Sequence, residues 1–121
     1  MVVTGLLKVD NKRMKVTFDD ESSFVLYNSE VRKYGISEES EIDSDTVEQI
    51  GKLLTNRARN RVLYMLGNSD KSSGDIARKL VDLGYPENIV RDVIGQLESY
   101  GYIDDERYVR NYIESVSGRK S

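Results

Sequence analysis

The sequence contains no cysteine, no histidine and no tryptophan, and a single proline in 121 residues. Each absence removes a class of chemistry. Without thiol or imidazole there is no cysteine nucleophile, histidine base, zinc finger or thiolate-held cluster, so neither a metal nor a cofactor is expected. No disulfide can form, which makes the reducing cytoplasm the expected setting. No apolar run approaches the roughly 20 residues of a membrane span, and Met1-Val2-Val3-Thr4 is no secretory n-region, so no membrane partner is expected. Positive charge is not in excess either: 18 Lys and Arg face 21 Asp and Glu, a net charge of −3. A general nucleic-acid binder normally carries the opposite balance.

What is present falls into two textures, with a boundary between residues 43 and 44. Val2 to Val9 is β-branched and apolar, and Asp10-Asn11-Lys12-Arg13 supplies turn residues. Met14, Val16 and Phe18 alternate with Lys15 and Thr17, the period of a half-buried strand. After a second turn at Asp19 to Ser22, Phe24 to Tyr27 reads as a third strand, and three strands are about the minimum that holds together in water. Asn28 to Ile36 reads as a short helix stopped at Gly35, and the acidic Ser37 to Asp43 as a linker.

From Ser44 the period is helical. Asp45 with Glu48 has capping-box spacing, and Val47, Ile50, Leu54, Ala58, Val62 and Leu66 share one face of a helix reaching about Gly67. A break, if there is one, is expected near Thr55-Asn56. Ser72 with Asp75 starts a second helix that stops at Gly84, and Pro86 suits the first turn of a third that stops at Gly101. Asp104, Asp105 and Glu106 favour the positive end of a fourth, with Tyr108, Val109, Tyr112, Ile113 and Val116 as its buried stripe. The fold class is therefore α+β: a three-stranded meander with a short helix over 1–43, then a helical module over 44–121.

No catalytic constellation emerges. The glycines are too scattered for a phosphate loop, and no Gly-Lys-Ser/Thr follows a strand. Asp104-Asp105-Glu106 is the only dense carboxylate run in the helical part, but consecutive helical residues diverge by about 100°, and capping accounts for it. Ser72 and Ser73 have no histidine to act as base. The chain is expected not to be an enzyme.

Charge is distributed more tellingly. Residues 1–43 carry six Lys and Arg against nine Asp and Glu, whereas 44–121 carry twelve of each. In that neutral half the cations gather as Arg57, Arg59 and Arg61, Arg78-Lys79, Arg107 and Arg110, and Arg119-Lys120. Arg57 with Arg61, and Arg107 with Arg110, each share a helix face. Ser72 to Ile103 has the spacing of a winged helix-turn-helix, which makes a DNA-binding transcriptional regulator the alternative reading. Against it, the would-be recognition helix offers only Arg91 to a phosphate backbone while carrying Glu87, Asp92 and Glu98, and a helix is expected where the β-wing belongs.

One longer pattern stands out: Leu63…Leu66, Ser72-x-x-Asp75-Ile76-x-x-Lys79-Leu80-x-x-x-Gly84, Ile89-x-x-Val93-Ile94-x-x-Leu97, then Gly101-Tyr102-Ile103-Asp104-Asp105-x-x-Tyr108-Val109. It resembles the first part of the RecX family, and the leading strands resemble the N-terminal extension of some Gram-positive members. The resemblance implies a non-enzymatic regulator built of tandem three-helix repeats. Such a protein lies along the groove of a RecA filament on single-stranded DNA and inhibits ATPase and strand exchange in recombinational DNA repair and the SOS response. Repeat one would then occupy about 45–103, and 104–117 would open repeat two. The segment that continues into later helices begins at Ser117-Gly118-Arg119-Lys120 and stops, so the chain looks cut just after that helix. Arg57, Arg61, Arg78, Lys79, Arg107 and Arg110 become the expected contacts to RecA or its DNA; whether single-stranded DNA is touched directly stays open, as does the oligomeric state.

Overall fold

The computed structural model describes residues 1–118. Three antiparallel strands, β1 (Val3–Lys8), β2 (Arg13–Phe18) and β3 (Ser23–Tyr27), pair in sequence order. Local chemistry sets both turns. Asp10 accepts hydrogen bonds from the N–H groups of Lys12 (2.8 Å) and Arg13 (2.9 Å), and Asp20 accepts from that of Ser22 (3.0 Å). The register places Leu6, Val16 and Phe24 side by side, and Met14 beside Leu26, on the inner face. Leu7, Lys15 and Val25 align on the outer one. Phe18 meets Phe24 edge to face at 5.2 Å.

The short helix α1 (Asn28–Lys33) follows directly. The acidic stretch after it then pairs with Met1 to Val3, at the start of β1. The N–H of Val3 donates to Ser40 (2.9 Å), that of Glu39 to Val3 (2.8 Å) and that of Ile42 to Met1 (2.8 Å), and Ile42 is buried.

The helical part comprises α2 (Ser44–Asn68), α3 (Ser73–Asp82), α4 (Glu87–Ser99) and α5 (Asp105–Gly118). Asp43, not Asp45, caps α2, its carboxylate accepting the N–H of Thr46 at 2.7 Å. The helix runs unbroken through Thr55, whose hydroxyl donates to the Gly51 carbonyl within the same helix at 2.8 Å. Ser72 caps α3 as expected, accepting from Asp75 at 3.2 Å. Pro86 occupies the cap position of α4 rather than its first turn. The α3 stop is a reversed turn with Gly84 at φ +92, in which Tyr85 N–H bonds back to Leu80 and Gly84 N–H to Val81. Only glycine fits there, because an added Cβ would stand 2.3 Å from Val25 Cγ2 on β3.

The buried residues form one continuous cluster across both textures. It runs from Val16, Phe24 and Leu26 through Ile36 and Ile42 to Ile50, Leu54, Ala58 and Val62 of α2, and on to Ile76, Leu80, Val93, Leu97 and Ile103. Helix α4 packs against both α2 and α3.

Helix α5 departs from expectation. Val109, Tyr112 and Ile113 are exposed, and Tyr108 and Val116 only half-buried, so its apolar stripe is not a buried one. A stripe at helical spacing is buried only if some element covers it, and no other described element packs along α5. Its ties are polar: Asp105 accepts from the N–H (2.8 Å) and hydroxyl (2.6 Å) of Ser73, and Asn111 donates to Asp70 (2.9 Å).

Candidate functional site

The six cations singled out from the sequence divide into structural and free groups. Arg57 is structural. Leaving the middle of α2, its guanidinium pairs with Glu30 of α1 and lies 4.9 Å from the Tyr27 ring centre. Glu30 also accepts the N–H of Tyr27 at 2.9 Å. Arg57 thus ties α2 to the end of the sheet. Arg107 is occupied as well: it donates to the carbonyls of Gly101 and Tyr102 (3.2 Å each) and pairs with Asp70 at 3.4 Å. It closes the turn between α4 and α5. Arg78 pairs with Asp75 one helical turn before it, an exposed contact worth little.

Arg61, Lys79 and Arg110 are exposed and make no ion pair among the described residues. Arg59, which the sequence sets apart from the Arg57/Arg61 face, bonds Asn56 and Gln96. Arg119 and Lys120 lie outside the described residues.

Arg57 and Arg61 are brought together along one cleft, and Arg78, Lys79, Arg107 and Arg110 do not line it. The cleft has a volume of about 600 Å³ and lies between β3, α2 and the α3–α4 turn. Val25, Leu26 and Leu83 supply apolar lining; Tyr27, Tyr64 and Tyr85 supply aromatic lining. Arg13, from β2, contributes a third guanidinium. Sequence reasoning missed Arg13 and the tyrosines here, because the cleft joins segments separated by dozens of residues. Arg13 pairs with Asp10 at 2.8 Å, and the Arg13 hydrogen bond, with help from the Lys12 N–H, holds the Asp10 carboxyl below its ordinary pKa. Burial pushes the Tyr85 phenol above its ordinary value.

The α3–turn–α4 pair has the helix-turn-helix shape, but α4 presents Glu87, Arg91, Asp92 and Glu98 as exposed charges. Helix α5 stands where a β-wing would follow. No cluster of three or more acidic side chains suited to a metal occurs among the described residues. No helix among them is long and apolar enough to cross a membrane.

Comparison with known proteins gives a consistent result. Residues 58–97 match the family model for the first three-helix domain of RecX. The regulatory protein RecX of Leuconostoc citreum (strain KM20) is 30% identical over 107 residues, which cover 84% of this chain and 38% of that protein. RecX of Clostridium perfringens (strain 13 / Type A) is 26% identical over 103 residues, covering 84% and 49%. RecX of Caldanaerobacter subterraneus subsp. tengcongensis is 23% identical over 116 residues, covering 94% and 59%. The chain thus spans between 38% and 59% of the length of these relatives. A crystal structure of a regulatory protein RecX shares the fold, with a TM-score of 0.54 at 21% identity over 94% of this chain and 57% of that one.

Proposed function

We propose that this chain, which belongs to the RecX family, acts as a regulatory protein that docks on filaments of the RecA recombinase and restrains their ATPase and strand-exchange activities in recombinational DNA repair. The observation that carries this reading is the match of residues 58–97 to the first three-helix domain of RecX, set within similarity to RecX proteins over most of the chain. The action is by contact and not by catalysis, in the compartment where the recombinase works, the cytoplasm.

Among the six cations, Arg61, Lys79 and Arg110 are the ones free to meet a partner. Arg57 and Arg107 act indirectly, by holding α2 to the sheet and α5 to the α2–α3 loop. Arg78 could exchange its exposed Asp75 partner for another at little cost. A direct contact with single-stranded DNA inside the filament would fall to Lys79 and Arg110. The winged-helix alternative gains nothing from α4, whose exposed face is more acidic than basic.

The test is the DNA-dependent ATPase of RecA with increasing amounts of this chain. Hydrolysis should fall, and a variant with Arg61→Glu and Arg110→Glu should inhibit at least about tenfold less well, as two lost charge-assisted contacts require. An undiminished ATPase at saturating wild-type chain would remove the proposal.

A further inference from the structure

The cleft between β3, α2 and the α3–α4 turn has an uneven charge state. Arg13 is paired with Asp10 and Arg57 with Glu30, whereas Arg61 makes no ion pair among the described residues. One uncompensated guanidinium therefore borders an apolar floor of Val25, Leu26 and Leu83, beside the exposed ring of Tyr64 and the half-buried one of Tyr85. A single guanidinium fork matches a single carboxylate through two parallel hydrogen bonds. The floor and rings match an apolar side chain beside it.

A phosphate backbone suits the place less well. It needs cations in series along its track, with aromatic faces for the bases. Here Asp10 and Glu30 already neutralise two of the three arginines. The adjoining groove, which shares Arg13, Val25 and Tyr85 with the cleft, adds Glu21, Asp82 and Glu87 against Lys15. Successive phosphates would run into those carboxylates. The wall built by residues 1–43 belongs to the segment that holds the whole net charge of −3.

We propose that this cleft binds an acidic segment of a protein partner, with one carboxylate on Arg61 and a neighbouring apolar side chain against Tyr64 and Tyr85. The proposal rests on the chain being a regulator that works by protein contact, and not on which protein it regulates. Arg61 sets the affinity and Tyr64 adds the apolar share.

The test uses the whole chain and two fluorescent probes: a ten-residue peptide of alternating glutamate and leucine, and a ten-nucleotide oligothymidylate. Anisotropy should report peptide binding that weakens by about tenfold or more in Arg61→Glu and is only partly restored in Arg61→Lys, since lysine lacks the fork. Tyr64→Ala should weaken it several-fold, and both variants should melt with the wild type because both side chains are exposed. Amide resonances of Val25, Leu83 and Tyr85 should move when the peptide is added. The idea is overturned if the wild type ignores the peptide, if Arg61→Glu binds it equally well, or if the oligothymidylate is the probe whose binding depends on Arg61. No recombinase is present, so this outcome is independent of the ATPase test.

Discussion

Replacing Arg57 with alanine should cost stability before it costs any contact with a partner. The Arg57 and Glu30 side chains are 29% and 15% exposed, which puts the pair between two known regimes. Exposed ion pairs contribute about 0.2–1 kcal/mol. Breaking a fully buried pair by removing one partner costs about 3–5 kcal/mol, because the other charge is stranded. Removal of Arg57 leaves Glu30 with the Tyr27 N–H as its remaining partner, and a hydrogen bond to a charged group is worth about 1.5–3 kcal/mol. Loss of the guanidinium beside the Tyr27 ring adds about 0.5–1 kcal/mol. The expected total for Arg57→Ala is about 2–4 kcal/mol, a melting decrease on the order of 10 °C for a chain of this size. Glu30→Ala should fall in the same range, and the double variant should cost less than the sum by about 1.5 kcal/mol. Urea unfolding of the four proteins measures all three numbers. A loss below about 0.5 kcal/mol, or additive single costs, would refute the claim that this pair fastens α2 to the sheet.

Three further outcomes follow from the same geometry. Gly84→Ala should destabilise by more than about 2 kcal/mol, since its Cβ would collide with Val25 at a positive φ, whereas Gly101→Ala, at φ +80 in open space, should cost only the backbone strain of about 1–2 kcal/mol. Val25→Ala should recover part of the first loss and none of the second, as chemical unfolding would reveal. Ile113→Lys should leave the stability of this chain within about 0.5 kcal/mol, while Ile103→Ala, at a 2% exposed position, should cost about 2–5 kcal/mol; equal costs would mean that the face of α5 is covered after all. Hydrogen bonds from the hydroxyl and N–H of Ser73 hold the Asp105 carboxyl below its ordinary value of 3.8. Its contribution to stability is therefore complete above that value and is lost as pH falls through the lower folded value. Asp105→Asn should accordingly shrink the difference in melting temperature between about pH 6 and about pH 2, and an undiminished difference would count against the Ser73 clasp.

Much of this architecture is local and could be read from the chain. Alternation from Met14 to Phe18, the Ser72 cap, and the glycine stops at Gly35, Gly84 and Gly101 depend on neighbours a few residues away. The features that escaped are of two kinds. Some patterns are degenerate: Asp43 and Asp45 both precede an N–H they could cap, and it is the Asp43 carboxylate that accepts the N–H of Thr46. Others are non-local. Arg57 finds its carboxylate 27 positions earlier and Arg107 finds Asp70 37 positions earlier, so no periodicity could reveal that these arginines serve the fold. Clustering in sequence therefore overstated the number of free cations. The stripe on α5 is the opposite case, since the pattern is real but the described residues do not cover it.

The most direct test of the regulatory account is co-sedimentation of this chain with RecA filaments preassembled on single-stranded DNA, beside naked DNA of the same length. The account predicts saturable binding to filaments that exceeds binding to bare DNA, unchanged by Ile113→Lys and weakened by about tenfold or more when Arg61 and Arg110 are reversed to glutamate. Absence of the chain from the filament pellet, or equal retention by bare DNA, would contradict it.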